Sequence, residues 1–302
     1  LARLATEEAR WKKQAPTSPF LAFIAYRHLL ARYSQSLRVA TDEAGQVRAQ
    51  QQWLSGLGQF IQGNPQAEDT PEAMWQLGTA QEFVAETKQA QAWYTQLARK
   101  FPRSPAGVRA AGALKRLDLK GKPLALVGRG LNATAIRSES YRGKVLLVVY
   151  WATWCKPCTA ELPTLQALYR QYRARGFEVI GVNLDLDRTP VPGYLAQHRV
   201  VWPQLHEPGG LDSRPARQFG ILSLPTMFLV NRRGIVVNAA ATLDDLKTEH
   251  SVLPERRVGN EHMVSDLEHA LEQLPIRPLR AFLLRVWDRM DVAETAQAMG
   301  CS

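Results

Sequence analysis

The stretch 145–163, VLLVVYWATWCKPCTAELP, places two cysteines directly after seven apolar residues. These seven, Val145–Trp151, are too few for a helix and rich in β-branched and aromatic side chains, which predicts a strand buried on both faces. Cys155 and Cys158 then open a segment with helical periodicity, in which Pro157 takes a first-turn position that needs no N–H donor. The sequence therefore predicts two thiols, one turn apart, at a strand-to-helix junction.

This placement matters because the thiolate, not the thiol, is the reactive form of cysteine. A helix N-terminus offers unpaired N–H groups and partial positive charge, and the pKa of a cysteine there falls from about 8.5 to roughly 3.5–7.5. We therefore expect Cys155 to be the nucleophile, with Lys156 as a nearby cation. Cys158, expected to be the more buried, would attack the resulting mixed disulfide. Structural thiols and half of a zinc site are the other interpretations, although no second cysteine pair is present.

The sequence Trp-Cys-x-x-Cys after an apolar strand resembles the thioredoxin superfamily. The fuller string, W-A-T-W-C-K-P-C-x-x-E-x-P, is similar to the TlpA/ResA-like branch of exported thiol–disulfide oxidoreductases. The resemblance implies that Glu161, on the same helix face as Cys158, takes its proton; the alternative is a first-turn glutamate facing solvent. It also implies a helix kink at Pro163. Val149 stands where thioredoxin has a buried aspartate, so that role is vacant or passes to Glu161.

A second segment, around Pro225, supports the same resemblance. Pro225 precedes an apolar hairpin predicted over 227–237, and a proline there is commonly a plain edge marker. The resemblance implies instead a cis proline that faces the cysteine pair. Because proline has no N–H, the backbone of Leu224 would be free to pair with an extended substrate. Trp154 and Thr226 complete the expected substrate-binding surface, and Lys156 and Pro157 support the cysteines.

The domain organisation follows from these motifs and from the periodicity around them. The fold class is α/β: a thioredoxin-like fold over 120–275, with an N-terminal all-helical domain over 1–119. Residues 71–117 show weak tetratricopeptide-like (TPR-like) spacing, with small residues where two helices would cross. An irregular helical bundle is the other interpretation. An extra amphipathic helix and tail are predicted over 276–302, to pack on its own chain, on a partner or on a membrane surface.

Within the thioredoxin-like region, the order of elements is β-α-β-α followed by a β-hairpin. The resemblance implies an additional N-terminal hairpin before the central strand. Residues 238–260 are polar and without period, so we expect a loop there. The additional hairpin is predicted within 124–136. The remaining predictions are a strand over 177–184, helices over 192–198 and 214–219, and a closing helix over 263–274.

Composition excludes several classes of protein. The formal charge is +10, from 38 basic and 28 acidic residues. These basic residues are spread along the chain without the concentrated stripe that nucleic-acid binding needs, so we expect no nucleic-acid partner. No apolar run reaches the ~20 residues of a membrane-spanning helix. With 3 cysteines in 302 residues the chain is no disulfide scaffold, and Cys301 is expected to be a free thiol.

No metal or cofactor is expected beyond the redox-active Cys155–Cys158 disulfide. Asp185 and Asp187 follow a predicted strand, where acidic residues usually serve as loop or cap residues. The 6 histidines lack ligand spacing and are interpreted as structural. A copper-delivery role would need a distant histidine beside the thiols, for which His206 is the candidate.

The function that these features predict is a thiol–disulfide oxidoreductase, in the direction of reduction, acting on protein disulfides. The resemblance implies an electron donor in the membrane, and a periplasmic or outer-side membrane-tethered location. Because the sequence begins at Leu1, we expect that an upstream signal or anchor has been removed. The helical domain would present the redox domain to a partner or a dimer mate. The alternatives are a scaffold or holdase with a vestigial cysteine pair, and a peroxidase, which Trp154 beside Cys155 does not fit.

Overall fold

The computed structural model describes residues 2–15 and 18–248, and these residues divide into two compact units between Leu114 and Lys115. The division falls five residues before the boundary expected from the sequence, inside the last helix of the helical region. Three predicted features, the closing helix of the thioredoxin-like region, the amphipathic helix over 276–302 and Cys301, lie outside the described residues.

The first unit is all-helical where the structure describes it, as predicted. Two of its helices begin at side-chain caps: Ser18 accepts a hydrogen bond from the N–H of Phe20, and Asp42 from the N–H of Gly45. Trp53 and Leu57 are almost completely buried. The helical region contains α1 (Ala2–Gln14), α2 (Pro19–Val39), α3 (Glu43–Gly63), α4 (Thr70–Phe83), α5 (Thr87–Lys100) and α6 (Pro105–Leu117).

Helices α4 and α5 pack closely because a glycine lies at their contact. A Cβ placed on Gly78 would lie 2.5 Å from Cε1 of Tyr94, so only glycine allows this approach. The ring of Tyr94 is fully buried, and its hydroxyl donates to Glu82 at 3.0 Å. The sequence predicted small residues where these two helices meet. The assignment of the region to TPR-like repeats stays a prediction.

The second unit contains a two-stranded and a five-stranded sheet. The small antiparallel sheet pairs β1 with β2, which confirms the predicted N-terminal hairpin. The large sheet has the order β5-β4-β3-β6-β7, in which β3, β4 and β5 are parallel and β6 and β7 run antiparallel. The strands are β1 (Val127–Arg129), β2 (Ala135–Arg137), β3 (Val145–Trp151), β4 (Phe177–Asn183), β5 (Gln204–His206), β6 (Thr226–Val230) and β7 (Val236–Asn238).

Strand β3 is the centre of the large sheet and is buried on both faces. Its odd-numbered residues join one apolar cluster with α7, α8 and α10, and its even-numbered residues join another with α9 and the β1–β2 region. The helices are α7 (Lys156–Tyr172), α8 (Pro190–Gln197), α9 (Arg214–Phe219) and α10 (Leu243–Thr248). Continuous apolar character in β3 therefore reflects two packed faces, as predicted.

Two elements were missed by the sequence analysis. Strand β5 has only three residues, two of them polar, so its sequence shows no strand pattern. Its position in the sheet depends on its parallel pairing with β4. Helix α10 lies in the stretch 238–260, where a loop was expected, and that prediction was wrong. Its Leu243 and Leu246 are buried in the same cluster as α7, so tertiary packing supplies what local periodicity lacks.

Helix lengths and apolarity also bear on membranes. Within residues 2–15 and 18–248, every helix is too short or too polar to cross a bilayer. The stretch 20–30, which is apolar except for Arg27 and His28, belongs to α2. Four side chains of α2 are buried: Ala22, Ile24, Tyr26 and Tyr33.

Candidate functional site

The cysteine pair lies where β3 passes into α7, as the sequence predicted. Cys155 is the N-cap of α7, and its Sγ accepts a hydrogen bond of 3.2 Å from the N–H of Cys158. Its own N–H donates to the carbonyl of Ala152 at 3.1 Å, which closes the turn between strand and helix. The two sulfurs form a disulfide. The N-cap position gives Cys155 the N–H donor and the helix dipole that stabilise a thiolate.

The relative burial of the two cysteines differs from the expectation. Cys155 is only 4% exposed, whereas Cys158 is half-buried. The main chain of Cys155 is bonded on both sides: its N–H donates to the carbonyl of Ala152, and its carbonyl accepts from the N–H of Thr159. Cys158 lies on the open first turn and packs against the core from there. The prediction that Cys158 is the more buried was therefore wrong for this oxidised state.

Four other residues that the sequence singled out lie around the cysteines. Lys156 and Pro157 are exposed on the first turn of α7, where the missing N–H of proline leaves no helical bond unmade. Trp154 is half-buried in the turn before Cys155. Pro163 lies inside α7, which continues to Tyr172.

The proline segment adopts the conformation that the resemblance implied. The peptide bond between Leu224 and Pro225 is cis, and Leu224, Pro225 and Thr226 are half-buried just before β6. The Thr226 hydroxyl donates to the carbonyl of Ser223 at 2.7 Å, which fixes the start of the strand. Among the described residues, no backbone hydrogen bond outside the strands involves Leu224.

A small, partly enclosed cavity of about 30 Å³ is lined by residues of both segments. Cys158, Glu161 and Pro225 all line it, together with Val149 from the central strand. Glu161 thus turns toward the same space as Cys158, and Val149 contributes only an apolar wall. The rest of the lining is mostly apolar and aromatic: Trp151, Leu162, Leu165, Tyr194, Val200, Trp202, Gln204 and Met227.

Asp185 is a site residue that the sequence analysis did not identify as such. It follows β4 and is 3% exposed, and its carboxylate accepts from the N–H of Thr153 at 3.0 Å and from its hydroxyl at 2.6 Å. Thr153 belongs to the turn before Cys155. The signal available was an acidic residue at the carboxyl end of a strand next to β3, which was interpreted as a loop or cap residue.

Asp187, two residues further on, behaves differently. It is exposed, and a hydrogen bond from the N–H of Thr189 lowers the pKa of its carboxyl group. Across the described ranges, no three His, Cys, Asp or Glu side chains come together as a metal site. His206 is buried beside the backbone of Asp185, and a role in copper binding gains no support from this position.

Comparison with known families agrees with this geometry. Residues 118–239 match the model of the AhpC/TSA family. The matched range contains the whole large sheet, the cysteine pair and the cis proline. Residues 118–239 form a thioredoxin-like domain. The predicted fold class is thereby confirmed for the part of the chain that carries the site.

Curated relatives of the thioredoxin-like domain are named thiol-disulfide oxidoreductase ResA. The protein of Bacillus thuringiensis is 31% identical over 107 residues, which are 35% of this chain and 60% of the relative. That of Oceanobacillus iheyensis is 28% identical over 124 residues, 40% of this chain and 63% of the relative. The chain therefore spans about three fifths of the length of the curated relatives it matches.

Solved structures similar to the chain cover the same region. The thiol:disulfide interchange protein DsbE of Chlorobium tepidum is 26% identical, with a TM-score of 0.39, over 44% of this chain and 94% of that one. The thioredoxin domain of a thiol-disulfide oxidoreductase from Bacteroides vulgatus is 25% identical, with a TM-score of 0.40, over 44% and 97%.

A second family match falls outside the thioredoxin-like domain. Residues 265–302 match the model of Sigma-70, region 4, and all of them lie outside the described residues. The interpretation of 276–302 as an amphipathic helix did not include this resemblance. The expectation that the chain has no nucleic-acid partner stays a prediction.

Proposed function

We propose that the chain is a thiol–disulfide oxidoreductase that reduces disulfides of other proteins through Cys155 and Cys158. The observation that carries the proposal is the position of Cys155 as the N-cap of α7, with Cys158 one turn away and bonded to it. The cis Pro225 on the same cavity as Cys158 supports it. So do the names of the ResA relatives.

The reaction begins with the reduced pair and an extended substrate segment beside Leu224 and Pro225, with Trp154 and Thr226 at its edges. The Cys155 thiolate attacks one substrate sulfur, the substrate S–S bond breaks, and a mixed disulfide forms. The released substrate thiolate takes a proton from solvent. At this stage one bond has formed and one has broken, and the substrate remains covalently attached.

The second step resolves the mixed disulfide. Glu161 takes the proton of the Cys158 thiol, and the resulting thiolate attacks Sγ of Cys155. The bond to the substrate breaks, the second substrate thiolate is protonated, and two electrons have passed from chain to substrate. The product is the Cys155–Cys158 disulfide present in the structure. An external dithiol donor at the membrane, acting in the reverse sense, would return the pair to the reduced state.

Three features of the wider protein belong to the same proposal. The chain functions outside the cytoplasm, where protein disulfides persist. The domain boundaries are those expected from the sequence, near 119 and 275. The helical region contacts a protein partner or a second copy, for which the cleft lined by Lys12, Arg32 and Gln59 of α1, α2 and α3 offers a surface.

The proposal is tested with cysteine variants and a model protein disulfide. We expect Cys155→Ser to abolish reduction, because it removes the nucleophile. Cys158→Ser is expected to accumulate mixed disulfides that dissolve on addition of dithiothreitol, detected on non-reducing gels and by mass spectrometry. Reduction at the parent rate by the double serine variant would exclude the mechanism. A parent chain without a reversible dithiol/disulfide couple would favour the scaffold alternative.

A further inference from the structure

The turn before Cys155 is tied to the next strand by a buried carboxylate. Asp185 is 3% exposed, and three donors converge on its carboxyl group. They are the N–H of Thr153 at 3.0 Å, the hydroxyl of Thr153 at 2.6 Å and the side-chain amide of Asn183 at 2.6 Å. All three donate and none needs to accept, so the site fits the ionised carboxylate.

This charge lies close to the cysteine pair. Thr153, which bonds Asp185, precedes Cys155 by two residues, so the Cα atoms of Thr153 and Cys155 lie at most about 7 Å apart. The bond from the N–H of Cys155 to the carbonyl of Ala152 folds the segment into a turn, which shortens the path further. Because Asp185 and Cys155 are both buried, protein rather than water fills much of the space between them, and screening is weak.

A fixed negative charge at this position opposes the stabilisation of the Cys155 thiolate by the helix N-terminus. The α7 dipole and the Cys158 N–H stabilise a Cys155 thiolate, and a stable thiolate favours the reduced pair, as in a strongly oxidising dithiol protein. An anion nearby destabilises the thiolate, favours the disulfide and so makes the dithiol a better reductant.

The hydrogen-bond partners described for the Asp185 carboxylate, Thr153 and Asn183, are not cations. His206 donates from Nε2 to the backbone carbonyl of Asp185 at 3.3 Å, not to its carboxylate. Asn183 is neutral. The cation of Lys156 is exposed to solvent on the first turn, and Asp187 is exposed in the following loop, so water screens both.

We propose that the charge of Asp185, a positioning residue bonded to the turn before Cys155 through Thr153, biases the cysteine pair toward the reducing direction. The inference rests on the proposed function and adds the direction of the reaction to it. It identifies the cause as one buried carboxylate outside the CxxC motif.

The test compares Asp185→Asn with the parent chain in glutathione redox buffers. Asparagine keeps the shape and removes the charge. We expect the equilibrium constant for reduction of the disulfide by glutathione to rise about tenfold, equivalent to a potential about 30 mV less negative. The pKa of the Cys155 thiol, followed by the pH dependence of iodoacetamide alkylation, should fall in the same variant.

Two further variants separate charge from loss of structure. Asp187→Asn is the matched control, because it removes an exposed carboxylate two residues away and should leave the equilibrium constant unchanged. Thr153→Val removes one donor but keeps the charge of Asp185, so its constant should not rise. If the effect came from a loosened turn, the equilibrium constant would change in the same direction in Thr153→Val and in Asp185→Asn. That result would overturn the inference.

The remaining outcomes are also decisive. An unchanged or lower constant in folded Asp185→Asn, beside a parent chain with a reversible couple, would refute the role of Asp185 and leave the proposed function standing. A parent chain without such a couple would refute the proposed function itself. If Asp185→Asn does not fold, Asp185→Ser takes its place, and a rise in Thr153→Val still contradicts the inference.

Discussion

At the scale of single residues, the reactivity of each site side chain depends on the groups that contact it. Cys155 is buried, yet it receives an N–H from the first helical turn. Glu161 lines an apolar cavity with Cys158, where a carboxylate has few competing water contacts. Asp185 accepts three hydrogen bonds, two of them from Thr153, which belongs to the turn before Cys155. Reactivity here depends on placement more than on residue type.

The role of Glu161 leads to a prediction on the second step of catalysis. If Glu161 takes the proton of the Cys158 thiol, removing its carboxylate should slow the attack of Cys158 on the mixed disulfide. We expect Glu161→Gln to resolve the mixed disulfide at least tenfold more slowly. Stopped-flow release of a substrate thiol measures the step.

Alkylation of Cys155 in the reduced protein provides the control, because Glu161 acts on Cys158 alone. An unchanged rate of resolution in Glu161→Gln, at every pH, would leave this glutamate as an ordinary helix residue.

At the scale of elements, the positions of glycine and proline decide which surfaces can approach. Gly78 allows α4 and α5 to pack against each other around the ring of Tyr94. Pro157 lies in the first turn of α7, and the cis Pro225 directly precedes β6 and lines the cavity with Cys158. Leu243 and Leu246 of α10 are buried in the same apolar cluster as residues of α7. This burial stabilises α10, whose six residues are too few to form a stable helix alone.

The close approach at Gly78 predicts opposite effects for two glycine substitutions. In Gly78→Ala the new methyl group would lie against the buried ring of Tyr94, and we expect a loss of roughly 1–3 kcal/mol of stability. Gly58→Ala, also inside a helix but with no atom within 4 Å, should gain about 0.5–1 kcal/mol. Urea unfolding followed by circular dichroism measures both, and a stabilised Gly78→Ala would show that α4 and α5 are not in close contact.

At the scale of the whole molecule, the two compact units have separate cores. The helical unit is built around Trp53, Leu57, Tyr94 and their neighbours, and the second unit around the two faces of its sheet. The only described disulfide belongs to the second unit.

Separate cores predict separate responses to reduction. We expect calorimetry to show two thermal transitions, of which dithiothreitol shifts only one, because the disulfide constrains the second unit alone. Cys155→Ser should remove the response to dithiothreitol and leave the other transition in place. A single transition that moves as a whole would mean that the units unfold together.

Sequence alone determined much of the thioredoxin-like fold and the place of the site. The apolar run of β3, the two cysteines and the proline before β6 are local patterns, and each has a direct physical meaning. Burial on both faces, a helix start and a strand start follow from residues adjacent in the chain. The all-helical character of the first unit followed from periodicity in the same way.

What only the tertiary structure decided depends on contacts between residues far apart in sequence. Strand β5, helix α10 and the bond between Asp185 and Thr153 all arise from such contacts. Asp185 and Thr153 are 32 residues apart, and their pairing depends on the parallel register of β3 and β4. No local pattern encodes that register, because it is fixed by the packing of two complete faces of the sheet.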